Sequence, residues 1–220
     1  RQGGQTHEAT ARREVIVSAG SINSPQLLEL SGIGQAEHLQ ALGIDVLHEL
    51  KGVGENLRDH YSPRMKWSVP RELGLTYNDK GRGLGLFWQA LKYAFTDKGL
   101  LGLPAAPIRA YVRTREGLEA PDAAISWIPF LANENFQLHE QSGITAITHV
   151  LRSDSTGNIH VTSNDPGTPP AIRFNFLSAQ TDREILLESM RITRRIMNAG
   201  PMRDVSKDEM APGVDTQSDD

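Results

Sequence analysis

The chain has 220 residues, 38% hydrophobic and 23% charged, the size of one ordinary domain or parts of two. Twenty-seven acidic against 23 basic side chains leave a net charge of -4, so no cationic excess meets a phosphate backbone and nucleic acid is not an expected partner. Cysteine is absent, which excludes disulfide scaffolds, thiolate metal sites and cysteine nucleophiles and suits a reducing compartment. No apolar run approaches the roughly 18–20 residues of a membrane helix.

The chain starts at Arg1 rather than Met, with a mostly polar first dozen residues and no apolar core of a signal peptide. It stops in the polar run Thr216-Gln217-Ser218-Asp219-Asp220, and we read it as an internal segment of a longer protein. Glu14–Gly20 reads as a short strand, its three adjacent β-branched residues suiting a strand covered on both faces. Without neighbouring strands that segment would present an aggregation-prone edge. A helix is expected from Ser24 as N-cap with Pro25 at the first helical position, Leu27, Leu28 and Leu30 on its apolar side and Ser31-Gly32-Ile33-Gly34 as its stop. A second short helix, Gln35–Leu42, should end at a left-handed Gly43, followed by a strand at Ile44–Leu47 and a loop from Gly52 to His60. This alternation indicates part of an α/β layer.

Beyond His60 the texture changes. Leu84–Phe95 has helical period, with Phe87, Leu91 and Ala94 on one face. Ile108–Thr114, Ala123–Phe130, Ile144–Leu151 and Asn158–Ser163 read as strands of an antiparallel sheet, and Asn164-Asp165-Pro166-Gly167 as a turn. Thr181-Asp182-Arg183-Glu184 reads as a capping box opening a helix with Leu186, Met190, Thr193 and Met197 on one stripe, ended by Gly200-Pro201. The expected domains are residues 1–60 and 61–220.

Few residues carry an obvious chemistry. Gly52-Val53-Gly54 is followed by Leu57 and Gly32-Ile33-Gly34 by Glu37, where a dinucleotide fingerprint needs its third glycine; both read as turns. None of the seven histidines stands at a metal-ligand spacing, so no metal site is expected. His38 and His48 are expected on solvated faces, His149 and His160 as cross-strand surface residues, and Asp59-His60 in structural hydrogen bonds. No G-x-S-x-G elbow is present, Glu116 and Glu119 read as solvated, and Trp127 and Phe130 favour core over pocket.

Gly20-Ser21-Ile22-Asn23-Ser24-Pro25-Gln26-Leu27-Leu28-Glu29-Leu30-Ser31-Gly32-Ile33-Gly34 resembles the second signature of the glucose–methanol–choline (GMC) flavoprotein oxidoreductases. Glu14–Gly20 resembles the strand leading into it, and Gly52-Val53-Gly54-Glu55-Asn56-Leu57-Arg58-Asp59-His60 resembles the family's G-V-G-x-N-L-x-D-H loop. Asn158–Pro166, Pro169-Pro170-Ala171-Ile172 and Asn175-Phe176-Leu177 resemble the start of its C-terminal region; Tyr61–His149 matches loosely.

The resemblance implies a partial Rossmann-like FAD-binding domain of α/β class in residues 1–60 and an antiparallel-sheet substrate domain in residues 61–220. It implies FAD as cofactor and oxidation of the CH–OH group of a small-molecule alcohol, with oxygen or a quinone as electron acceptor. Ser18, Ala19 and Gly20 would lie close to FAD, their small side chains letting backbone approach it. The family's pyrophosphate-cradling glycines and its catalytic histidine have no counterpart among these residues, so none of the seven histidines inherits the catalytic role and the chain alone is expected to be inactive. Two alternatives share the resemblance: an FAD-containing hydroxynitrile lyase and an inactive truncated member. A cytoplasmic location is expected, with membrane association of the whole protein left open.

Overall fold

A computed structural model describes residues 5, 7–213, 215 and 216; the extreme polar chain ends read above lie outside the described residues. In chain order the elements are α1 (Gly20–Leu30), β1 (Ile33–Gly34), α2 (Ala36–Ala41), β2 (His48–Glu49), β3 (Glu55–Leu57), β4 (Arg64–Ser68), α3 (Tyr77–Lys80), α4 (Gly83–Thr96), β5 (Ile108–Val112), β6 (Ala123–Ile128), β7 (Gly143–Val150), β8 (Gly157–His160), β9 (Ala171–Arg173), α5 (Gln180–Met197), α6 (Gly200–Val205) and β10 (Glu209–Ala211). They form two compact units, residues 1–58 with 156–175, and residues 59–155 with 176–220. The return of residues 156–175 to the first unit is a tertiary fact that one linear boundary does not capture.

In the first unit, β1 and β2 pair in parallel, and β3, β8 and β9 form an antiparallel sheet with β8 central. A small core gathers Leu39, Ile44 and Val161, with Leu30, Leu42 and Val46 against it. α2 ends as expected, with Gly43 left-handed at φ +70°. α1 begins five residues earlier than expected, at Gly20 rather than Pro25. Ala19 is its N-cap, so Ser24 is no cap and Pro25 lies inside the helix, where it has no N–H to give the Ser21 carbonyl. Its fully buried residue is Glu29, while Leu27 is exposed. The strand expected at Glu14–Gly20 does not form: Val15 and Ile16 are 78% and 79% exposed, and no strand lies beside them among the described residues. A strand takes its hydrogen bonds from a neighbour, so β-branched residues alone cannot make one. Ile44–Leu47 likewise stays irregular, and the pairing starts at His48.

In the second unit a five-stranded antiparallel sheet has the order β10-β4-β7-β6-β5. α5 covers one face. There Met65, Trp67, Ala146 and Met197 form one core cluster with Met190 and Met202, and Ala123, Val150, Ile185 and Leu186 form another. Within this layer the Thr148 hydroxyl donates to Ser189 Oγ at 2.7 Å. The predicted stripe on α5 is buried at Leu186, Thr193 and Met197. The predicted capping box is absent: Ala179 is the N-cap and Asp182 turns inward, 2% exposed. It accepts the backbone N–H groups of Asp154 and Ser155, each at 2.9 Å, and the Ser153 hydroxyl. The capping box that does exist is at α3, between Thr76 and Asp79. α4 has the predicted period, yet Leu84, Phe87, Trp88 and Phe95 are all exposed. No helix among the described residues is long and apolar enough to cross a membrane.

Candidate functional site

A groove of the first unit has a volume of about 680 Å³. One wall is a face of α1 bearing Ser21, Ser24, Pro25 and Leu28, positions that helical period puts on one side. The other wall is the stretch from Gly52 to Arg58, a glycine turn running into β3 where the sequence suggested only a loop. Two sequence motifs that lie some thirty positions apart therefore meet across one opening. Gly54 permits the close approach behind this loop: it has φ +80°, and a Cβ there would lie 2.2 Å from the Ile159 carbonyl oxygen and 2.8 Å from the His160 ring.

Ser18, Ala19 and Gly20 stand at the entrance to α1, next in sequence to Ser21 of the groove, and all three are exposed. Ala19 caps the helix without a side-chain hydrogen bond. Gly20 has φ +84° with nothing within 4 Å of where a Cβ would stand. The turn thus presents bare backbone at the positive end of an 11-residue helix. Small residues, a free helix N-terminus and an adjoining mixed-polarity groove fit one side of a dinucleotide such as FAD, which is what the resemblance implies for these positions.

Behind the groove lies a polar cluster. Glu29 is 0% exposed, and His160 Nδ1 lies 2.7 Å from its Oε1. Its Oε2 accepts the Val161 N–H at 2.8 Å. The other ring nitrogen of His160 is 3.0 Å from Glu55 Oε1, which also accepts from Gln35 Nε2 at 2.7 Å. His38 Nε2 is 2.9 Å from the Val161 carbonyl, and its ring centroid is 5.2 Å from that of His160. The expectation of solvated or surface positions for His38 and His160 is therefore corrected. One ligand atom from each of Glu29, His38 and His160 falls within 4.8 Å of the others. Linear spacing could not reveal it, because 131 positions separate Glu29 from His160.

In the second unit His149 is buried on the sheet face opposite α5 and stacks on His60 at 4.4 Å between centroids, so it too is no surface residue. Burial, the neighbouring His60 and the positive charge of Arg109 hold its pKa below the usual histidine value. The His60 N–H donates to Asp59 Oδ1 at 2.7 Å. Trp127 packs against the core and also lines an apolar cavity of about 420 Å³ with Ile108, Ile144, Ile196 and Met202. Its indole Nε1 is buried without a hydrogen-bond partner among the described residues. Phe130 stacks on Tyr77 and lines a smaller pocket with Arg64, Lys66 and Thr145. Glu116 and Glu119 are exposed, as expected.

These features define a class by fold: a partial α/β unit with an open helix N-terminus, joined in sequence to an antiparallel-sheet unit. The solved formate oxidase of Aspergillus oryzae RIB40 matches with a TM-score of 0.84 at 22% identity, over 95% of this chain and 41% of that one. A fungal aryl-alcohol oxidase matches at 0.71 and 19% identity, over 92% of this chain and 41% of that one. Both show the fold. Two GMC oxidoreductase domain models match residues 1–62 and 153–220, together more than half of the chain. The chain belongs to the GMC oxidoreductase family.

Among curated relatives, the oxygen-dependent choline dehydrogenase of Chromohalobacter salexigens is 35% identical over all of this chain and 39% of its own length. That of Pseudomonas aeruginosa is 36% identical over 96% of this chain and 37% of its own length. The chain thus spans about two fifths of the curated relatives it matches.

Proposed function

We propose that this chain is the central part of an FAD-dependent oxidoreductase that oxidises the CH–OH group of a small alcohol. The observation that carries this reading is the meeting of the signature helix face with the Gly52–Arg58 loop in one groove beside a bare helix N-terminus. When bound, FAD would supply the acceptor for the hydride that leaves the alcohol carbon. Ser18, Ala19 and Gly20 would hold its edge through backbone contacts, because no side chain bulk intervenes at Gly20. The Ser21 and Ser24 hydroxyls line the same groove and would orient polar parts of the cofactor. None of the seven histidines is assigned as catalytic base. His38 and His160 are tied into the Glu29 cluster, and His149 is stacked on His60. The names of the relatives in C. salexigens and P. aeruginosa support choline as the first alcohol to test, with oxygen or a quinone accepting the electrons.

The experiment is to purify the full-length protein that contains this segment and follow its visible absorption. Flavin absorption that bleaches anaerobically on adding an alcohol is the expected result. A protein that carries no flavin, or flavin that no alcohol reduces, would overturn the proposal. Cyanide release from cyanohydrins without flavin reduction would assign the protein to the lyase alternative instead.

A further inference from the structure

We propose that Glu29, His38 and His160 form a binding site for one divalent transition-metal ion of the Zn²⁺ type. The site is independent of the flavin reading, since its ligands lie behind the groove and it needs no cofactor.

Three observations carry it. The first is the donor set. Two imidazoles and one carboxylate, with one ligand atom each inside 4.8 Å, suit borderline cations such as Zn²⁺ or Co²⁺ and not Mg²⁺ or Ca²⁺, which prefer oxygen throughout. Metal bonds of about 2.0–2.1 Å at tetrahedral angles put ligand atoms roughly 3.3 Å apart. The 2.7 Å contact between His160 Nδ1 and Glu29 Oε1 has to open slightly and His38 to close slightly for ligation.

The second is the outer layer, which is already built. Metal-bound histidines give their other ring nitrogen to a carboxylate or carbonyl, and metal-bound carboxylates are themselves hydrogen-bonded. Glu55 holds Nε2 of His160, Gln35 holds Glu55, the Val161 carbonyl holds His38, and the Val161 N–H holds the far oxygen of Glu29.

The third is charge. Glu29 is fully buried and faces no lysine or arginine among the described residues, so its carboxylate is met only by the His160 ring nitrogen and the Val161 N–H, with no full positive charge beside it. A cation in that place completes it. The His160 side chain is 17% exposed, which gives an entry path and room for water as a fourth ligand. The ion would tie α1 and α2 to β8, and thereby join the two separated chain segments that make up this unit.

The test uses the full-length protein that contains this segment, stripped with a chelator and titrated with ZnCl₂ by calorimetry and with CoCl₂ by visible absorption. The expected result is saturable binding of one ion per chain, a tetrahedral Co²⁺ spectrum and a rise in Tm on adding Zn²⁺. Affinity should fall more than about 100-fold in His160→Gln and in His38→Gln, and stay unchanged in His48→Gln, which alters an exposed histidine. His38→Gln leaves the Glu29–His160 contact in place, so it reports on ligation even where His160→Gln unfolds. Absence of saturable binding to the parent chain, or equal affinity in His38→Gln, overturns the proposal.

Discussion

His160 at the end of β8 meets Glu29 of α1 through Nδ1 and Oε1 at 2.7 Å, and this contact fastens a signature helix to a strand 131 positions away. A buried carboxylate held by an imidazole and a backbone N–H is costly to disturb on one side alone, because the partners stay behind unsatisfied. Glu29→Ala should therefore destabilise the first unit by about 3 kcal/mol. Glu188, half-buried on α5 and paired with Arg195 at 3.0 Å and Arg191 at 3.5 Å, is the control, and Glu188→Ala should cost under about 1 kcal/mol. Urea unfolding followed by circular dichroism distinguishes the two.

Asp182 makes a comparable prediction for the second unit. Its burial raises its pKa, but hydrogen bonds from the Ser153 and Ser155 side and from the 154 and 155 backbone outweigh that and hold it below the usual carboxylate value. A lowered folded-state pKa gives stability that is complete above the ordinary aspartate value and lost as pH falls through the folded one. Asp182→Ala should lower stability at neutral pH by about 3 kcal/mol, or roughly 6–12 °C in Tm, and should flatten the acid limb of the Tm–pH profile.

His149 carries pH dependence in a higher window. Its pKa lies below the ordinary 6.5, so the unfolded chain takes up a proton first as pH falls. Stability should be complete above about pH 6.5 and decline below it. Thermal melts at pH 7.5 and pH 5.5 should show a smaller difference in His149→Phe, which keeps a ring against His60. An unchanged difference would assign the dependence to other groups.

Val15 and Ile16 predict solution behaviour. β-Branched side chains exposed this fully on an unpaired segment invite edge pairing between molecules. Ile16→Lys should raise the soluble fraction on expression and slow light-scattering growth on standing, with a change in Tm under about 1 °C, since the residue packs against little.

Local order was written in local sequence. The 3.6-residue period of Leu84–Phe95 and of the stripe through Leu186, Thr193 and Met197, and the β-rich runs from Ile108 to Val150, each encode backbone geometry within a few residues of themselves. The glycine-rich motifs located the turn at Ser18-Ala19-Gly20 and the loop at Gly52–Arg58 one by one. Tertiary structure decided everything that needs a distant partner. Glu14–Gly20 has strand-forming residues but no neighbouring strand among the described residues, so it forms no strand. Thr181–Glu184 has the residues of a capping box, yet Asp182 is drawn inward by Ser153, Asp154 and Ser155. The helix face of Ser21 and Ser24 becomes one wall of a groove because the Gly52–Arg58 loop stands opposite it. Glu29, His38, Glu55 and His160 become one cluster because β8 returns to the first unit. Burial of a charge is set by what packs alongside it, and no pattern confined to neighbouring residues contains that information.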